Sequence, residues 1–214
     1  MKRITILIPT LNEEKTIEGV VSKFKQQKFD DVLVIDGNST DSTRLRARSA
    51  GADVIIQRGK GKGQAVQQAL SIIQSDIVVM IDGDGTYDPF EVFDLLAPIV
   101  ADTADHVIGN RFAYNGDFTS LHRLGNFLLS SAFHLRYNTN IQDFLSGYRA
   151  LTSKVIESIV LAESGFEVET ELTIQTIKKN LRFCEVPIHY YHRLTQPKLR
   201  SFKDGSRILL TILK

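Results

Sequence analysis

Two carboxylates one residue apart, in Asp82-Gly83-Asp84-Gly85, stand directly after the apolar run Val78-Val79-Met80-Ile81. Acidic side chains separated by glycine can approach a hard divalent cation and the phosphate oxygens it carries, which makes a metal-diphosphate site one reading of this stretch. The other reading is an Asp-Gly turn that closes an ordinary strand. Two more acids occupy comparable places: Glu13 follows Ile4-Thr5-Ile6-Leu7-Ile8-Pro9, and Asp36 follows Val32-Leu33-Val34-Ile35. Asp36 suits hydrogen bonds from a ribose or base, whereas Asp84 suits a metal. The run Arg58-Gly59-Lys60-Gly61-Lys62-Gly63 offers backbone N–H groups at a helix start, together with Lys60 and Lys62, and so suits phosphate. Lys62 reads as an exposed cation of that loop, and Lys60 as solvent-facing. The run fits neither G-x-x-x-x-G-K-[ST] nor G-x-G-x-x-G, which weighs against a P-loop NTPase and an NAD enzyme.

These residues need a scaffold that brings strand ends together. Unbroken apolar runs rich in Val and Ile read as strands buried on both faces of a parallel sheet. The spacing predicts a strand over Ile4–Ile8 stopped by Pro9, a helix over Glu13–Gln27, strands Val32–Ile35 and Val54–Ile56, helices from Asp41 or Ser42 to Ala50 and from Gln64 to Ile73, and the strand ending at Asp82. Strand and helix alternating with short connections argue an α/β fold with right-handed crossovers, whose ligands sit at the carboxyl edge of the sheet. Further on, the sequence predicts a helix over Phe90–Val100, a strand Val107–Gly109, a loop Ala113–Thr119, a helix Leu121–Tyr137, a strand around Ser146–Leu151, a helix Val168–Asn180 and an edge strand Phe183–Ile188. In the tail, Phe202, Leu209, Leu210 and Leu213 fall near one face, edged by Lys203, Arg207 and Lys214.

Composition narrows the class. The 214 residues, 43% hydrophobic and 24% charged, suit one globular domain. A net charge of +1 gives no footprint for nucleic acid, so any anionic ligand depends on local basic residues. One cysteine, Cys184, excludes an internal disulfide and a cysteine-based zinc site and fits a cytoplasmic protein. No apolar run approaches the roughly 20 residues of a spanning helix, and the first is cut at Pro9, too early for a signal peptide. The five histidines lack metal-ligand spacing, Glu167, Glu169 and Glu171 read as helix-start acids, and Arg149 reads either as a site residue or as an ion-pair partner of Asp143.

Taken in order, Ile8-Pro9-Thr10-Leu11-Asn12-Glu13, Val34-Ile35-Asp36-Gly37-Asn38-Ser39-Thr40-Asp41, Arg58 with Gly61-Lys62-Gly63, and Ile81-Asp82-Gly83-Asp84 resemble the inverting glycosyltransferases of family 2, which have a GT-A fold. Gly109-Asn110-Arg111, Asp143 with Ser146-Gly147-Tyr148-Arg149, Glu185-Val186-Pro187-Ile188, and Arg193 with Lys198-Leu199 resemble the subgroup containing dolichyl-phosphate mannose synthase and related polyprenyl-phosphate glycosyltransferases. The similarity covers nearly the whole chain. It implies a single GT-A domain, with a nucleotide-sugar-binding part over residues 1–110 and an acceptor-binding part over 111–214 that ends in an amphipathic helix.

By position, the resemblance implies that Pro9, Asn12, Glu13 and Asp36 contact the nucleoside with Lys62 nearby, that Asp82 and Asp84 face the sugar-diphosphate, and that Asp84 binds Mg²⁺ or Mn²⁺. Some members use a glutamine two residues beyond the second Asp to help hold the metal; here Thr86 stands there and joins the expected metal residues. The family's Arg, Gly and Ser-Lys-Leu pattern becomes Arg193, Thr195 and Pro197-Lys198-Leu199. Arg111, Arg123, Arg193 and Lys198 are implied to bind a dolichyl or polyprenyl phosphate head, and Arg111 and Arg123 with the two aspartates form the expected catalytic set. The stretches around Asp36 and Asp82 are closer to members using UDP-glucose or UDP-N-acetylglucosamine than to GDP-mannose users. The implied enzyme works at the cytoplasmic face of a membrane, touching its surface peripherally. A nucleotidyltransferase acting on a sugar phosphate, a glycosyltransferase with a non-lipid acceptor, and a non-catalytic nucleotide-binding regulator are the alternatives.

Overall fold

The protein is described from a computed structural model over residues 2–114, 120–193 and 201–214, with the side chains of 120–124, 201 and 202 excepted. Its strands are β1 (Ile4–Thr10), β2 (Val32–Asp36), β3 (Asp53–Ile56), β4 (Ile77–Met80), β5 (His106–Asn110), β6 (Arg149–Thr152) and β7 (Phe183–Pro187). The helices are α1 (Ile17–Gln26), α2 (Thr43–Ser49), α3 (Lys62–Leu70), α4 (Val92–Val100), α5 (Ser120–Tyr137), α6 (Ser153–Ser158), α7 (Val168–Lys178) and α8 (Ser201–Leu213). The expected α/β alternation is present, and β7 lies at the sheet edge as its proline predicts.

Strand order is β3-β2-β1-β4-β6-β5-β7. The first four strands are parallel, β6 runs antiparallel between β4 and β5, and β7 is parallel to β5. Reversing direction once at β6 and again at β5 puts the carboxyl ends of β1, β2, β4, β5 and β7 and the amino end of β6 along one edge. This is where an open α/β sheet binds ligands.

Side chains alternate between two covered faces, as a pleated strand requires. Ile6, Ile8, Val34, Val79 and Ile81 pack with Phe24 of α1 and Leu95 of α4. On the other side, Leu7, Ile35, Val78 and Met80 meet Val66 of α3 and Leu172 of α7. A third cluster joins Ile108 to Phe133 and Phe144 and to Ile208 and Ile212 of α8.

Two boundaries differ from the sequence reading for clear reasons. β1 runs through Pro9 to Thr10, with Pro9 opposite Ile35. Pairing with β4 has ended at Leu7 and Met80, so the N–H that Pro9 lacks falls on a side with no ladder partner. The first helix starts at Ile17, because Glu13 to Thr16 form a separate turn in which Thr16 N donates to Glu13 O. The expected loop Ala113–Thr119 lies from residue 115 onward outside the described residues.

Candidate active site

At the ends of β1 and β2 a hydrogen-bonded network joins Asp36, Ser39, Asn12 and Thr40. Asp36 is fully buried, and its carboxylate accepts from Ser39 N at 2.9 Å and from the Ser39 hydroxyl, with Arg44 at 3.7 Å. These bonds shape the Gly37–Ser39 turn, in which Asn38 takes a positive φ of 65°. Ser39 Oγ accepts from Asn12 N at 2.8 Å, and Asn12 Oδ1 accepts from Thr40 N at 2.8 Å. Pro9, Asn12 and Asp36 are thus assembled together, as expected. The oxygens of Asp36 are occupied by the turn it organises.

Beyond β4 the two aspartates diverge. Asp84 is buried, and its Oδ1 accepts from both Thr86 N at 3.0 Å and Thr86 Oγ1 at 2.7 Å. Thr86 therefore touches the expected metal site through Asp84, by orienting its carboxylate. Asp84 Oδ2 faces Arg193 Nη1 at 3.1 Å, while Arg193 Nη2 donates to Glu13 Oε1 at 3.0 Å. One guanidinium so ties the end of β1, the end of β4 and the segment after β7.

Asp82 is half-buried and pairs with Lys62, whose ammonium also meets Glu169 Oε1 at 2.5 Å. This corrects two expectations. Lys62 is a buried cation clamped between two carboxylates, not an exposed one, and Glu169, read as a helix-start acid, reaches into the site. Burial alone would lower the Lys62 pKa, but Asp82 and Glu169 outweigh it and hold it well above the ordinary lysine value. Burial would raise Asp82, and Lys62, then Arg193 and Arg111, outweigh that and depress it. Both groups stay charged.

The glycine-rich loop is also used differently from its sequence reading. Gly63 N and Gln64 N donate to Ser164 O, and Arg58 N and Lys60 N donate to Gln68 and Gln64 side chains. The N–H groups of Arg58, Lys60, Gly63 and Gln64 are therefore engaged with the chain itself. Glycine at 61 and 63 serves close packing: a Cβ there would meet Ser164 O at 2.2 Å and Glu163 O at 2.1 Å. Lys60 is exposed, as expected.

From the other half of the sheet, Arg111 follows β5 and is held by Asp143 through Nε at 2.8 Å and Nη2 at 2.7 Å, with Tyr190 against its guanidinium face. Arg149 is accordingly not the partner of Asp143. It is fully buried and donates to the carbonyls of Ser146, Phe144 and Glu169, which fixes the turn before β6. That turn lies on Asp82: a Cβ at Gly147 would sit 2.6 Å from Asp82 Oδ2. Antiparallel β6 accounts for the approach, since Arg149 is opposite Met80. The side chain of Arg123 and all of Lys198 lie outside the described residues.

Among the described residues no group of three His, Cys, Asp or Glu side chains forms a ready metal cage. The donors nonetheless fit Mg²⁺ or Mn²⁺ arriving with a diphosphate, because such ions are held by one or two carboxylates plus phosphate oxygens. Asp84 Oδ2 already faces a positive group, and Asp82 lies two residues away.

The sequence profile of glycosyl transferase family 2 matches residues 5–160. Glycosyltransferase AglJ of Haloferax volcanii is 41% identical over 99% of this chain and 71% of its own length. A dolichyl-phosphate hexose transferase of the same organism is 29% identical over 99% of this chain and 92% of its own. Glucosyl-3-phosphoglycerate synthase of Mycobacterium tuberculosis, solved with Mn²⁺, UDP-glucose and phosphoglyceric acid, superposes with a TM-score of 0.82 at 26% identity, over 99% of this chain and 79% of that one. The sheet described above is the GT-A sheet of these glycosyltransferases.

Proposed function

Because the chain belongs to glycosyl transferase family 2, we propose that it transfers a sugar with inversion from a uridine-diphosphate sugar, with glucose or N-acetylglucosamine the favoured cargo, to a dolichyl or polyprenyl phosphate. The observation that carries this reading is the convergence, at one sheet edge, of Asp82, Asp84 and Glu13 with Arg111 and Arg193. The acids suit a metal-diphosphate donor, Arg111 suits an anionic acceptor, and Arg193, placed between Asp84 and Glu13, can serve phosphate oxygens of either. Residues 1–110 would hold the donor and 111–214 the acceptor. The UDP-glucose complex of the mycobacterial synthase supports the donor class, and the name of the dolichyl-phosphate hexose transferase supports the acceptor.

Asp84, oriented by Thr86, and Asp82 would hold Mg²⁺ or Mn²⁺, which when bound acts as a Lewis acid on the leaving diphosphate. Pro9, Asn12 and the turn fixed by Asp36 would seat the nucleoside. Arg111, braced by Asp143, would orient the acceptor phosphate, whose oxygen is already ionised at neutral pH and needs no general base. Catalysis then rests on orientation and charge neutralisation. A second reading keeps the donor and replaces the lipid with a small phosphorylated acid, since the mycobacterial synthase was solved with phosphoglyceric acid. Release of UDP with a short polyprenyl phosphate, but with neither the free polyprenol nor phosphoglycerate, is the expected result. Equal transfer to the polyprenol would overturn the phosphate-acceptor mechanism, and turnover with phosphoglycerate alone would establish the second reading. The anomeric configuration of the product, read by NMR, tests inversion.

A lipid acceptor has to be met at a bilayer surface. No described helix is long and apolar enough to cross a membrane. In α8, Ile208 and Ile212 face the core while Leu210 and Leu213 are exposed, beside exposed Lys203 and Arg207. Helix α5, packed on α8, exposes Phe127, Leu128 and Leu135. Apolar side chains with basic neighbours fit an interfacial helix drawn to anionic headgroups. The expected outcome is co-sedimentation with anionic liposomes that weakens at high salt and is lost when Leu210 and Leu213 become Ser. Undiminished sedimentation of that variant would remove α8 from the contact.

A further inference from the structure

Arg193 sits where a cation is wanted. Thr86 takes both hydrogen bonds at Asp84 Oδ1, leaving Oδ2 as the oxygen that faces the site, and Arg193 Nη1 lies 3.1 Å from it. The same guanidinium reaches Glu13 Oε1 at 3.0 Å through its other terminal nitrogen. Asp84 and Glu13 are both buried, so without a positive partner two desolvated carboxylates would stand close together away from water. A single delocalised cation from the segment after β7 offsets that cost at both acids, a geometry that the forked guanidinium suits better than an ammonium.

We infer that Arg193 is a built-in counter-cation that occupies the metal seat at Asp84 until a nucleoside diphosphate arrives. A free divalent cation must displace the guanidinium from Asp84 Oδ2, and Arg193, still held at Glu13, then stands beside the added positive charge with one carboxylate fewer to offset it. A cation arriving with a diphosphate brings the anion that receives it: Arg193 exchanges a carboxylate for phosphate oxygens, and the metal takes Asp84. The chain would thus bind the metal weakly by itself and tightly as a metal-nucleotide complex. Opposite signs follow for one substitution, because Arg193 opposes the cation alone and supports the nucleotide.

This inference rests on reading Asp84 as the metal seat, and the test separates the two. Mn²⁺ alone is titrated into the full chain and followed by electron paramagnetic resonance, then UDP is titrated at saturating Mn²⁺ by calorimetry. Arg193→Ala is expected to bind Mn²⁺ alone about tenfold more tightly than the wild type, and UDP about tenfold more weakly. Lys60→Ala, which removes an exposed charge from the glycine-rich loop, should leave Mn²⁺ affinity unchanged and so excludes a general charge effect. The gain must vanish in Arg193→Ala with Asp84→Asn. Arg193→Gln, which keeps hydrogen bonding, covers the case in which the alanine variant misfolds, and it should show the same tightening. Unchanged or weaker Mn²⁺ binding in folded Arg193 variants overturns the inference; Mn²⁺ binding indifferent to Asp84→Asn overturns the metal seat itself.

Discussion

Asp84→Asn is expected to lower kcat/KM by about a hundred- to a thousandfold while leaving the fold in place, the scale seen when a preorganised group at a transition state is lost. The amide keeps the shape of the carboxylate, and its oxygen can still accept from Thr86 N and Oγ1, which are 3.0 and 2.7 Å from Asp84 Oδ1. Its NH₂ group then points at the Arg193 guanidinium, which stands 3.1 Å from Oδ2 in the native chain. Two donors face each other, position 84 no longer offers an anionic oxygen to Mg²⁺ or Mn²⁺, and the remaining carboxylate, Asp82, is already paired with Lys62. The loss of this one contact, with Glu13 still holding Arg193, is worth about 1 kcal/mol, or about 2–4 °C in Tm for a chain of this size. The checks are calorimetric melting without ligand, the Tm rise given by Mn²⁺ with UDP, and turnover. A normal melt with no ligand-induced rise and no turnover supports the assignment; unchanged turnover removes it.

How far the sequence carries toward this site differs from part to part. The strands were legible because their apolar runs are long, β-branched and stopped by Asp, Gly or Pro, so the carboxyl edge could be located with its acids. The insertion of β6 between β4 and β5 was not, since nothing in the short stretch Arg149-Ala150-Leu151-Thr152 tells a covered antiparallel strand from a parallel one. With β6 came the placement of Gly147 on Asp82 and of Arg149 among carbonyls. In the sequence Asp143 reads as a possible ion-pair partner of Arg149, but the arginine that holds it is Arg111. The choice of Arg111 over Arg149 depended on which strand end lies beside it. The glycine-rich loop misled in an instructive way. Its glycines resemble a phosphate cradle, yet what they accommodate is the backbone of Glu163 and Ser164, about 100 residues downstream, a contact with no local signature. Glu169 was hidden similarly: an acid in the first turn of α7 satisfies the helix dipole wherever its side chain points, and only the packing of α7 beside α3 turns it toward Lys62.

That last pairing gives the largest expected loss of stability. Lys62→Met keeps the length of the side chain and removes its charge, leaving Asp82 and Glu169 without the cation that both contact. Removing one partner of a buried ion pair costs about 3–5 kcal/mol, because the remaining charge stays desolvated. In a domain of this size that corresponds to a fall in Tm of about 6–20 °C. The pH dependence follows from the signs of the shifts. Asp82 is depressed below its ordinary value of 3.8, so its contribution is present above that value and is lost as pH falls through the folded pKa. Lys62 is raised above its ordinary value of 10.5, so its contribution is present below that value and is lost only as pH rises through the higher folded pKa. Across about pH 5–9 both terms are complete in the wild type; in Lys62→Met, burial and the neighbouring carboxylate push the stranded Asp82 carboxyl up, so the deficit should be at least as large at pH 9 as at pH 6. Adding Glu169→Gln should recover part of the loss by removing one of the two stranded charges. Denaturant melts of the wild type, the single variant and the double variant at both pH values test this. A single variant that melts within about 2 °C of the wild type, less than the shift for 1 kcal/mol, would mean that Lys62 is solvated in solution, and the loop would return to its reading as an exposed phosphate contact.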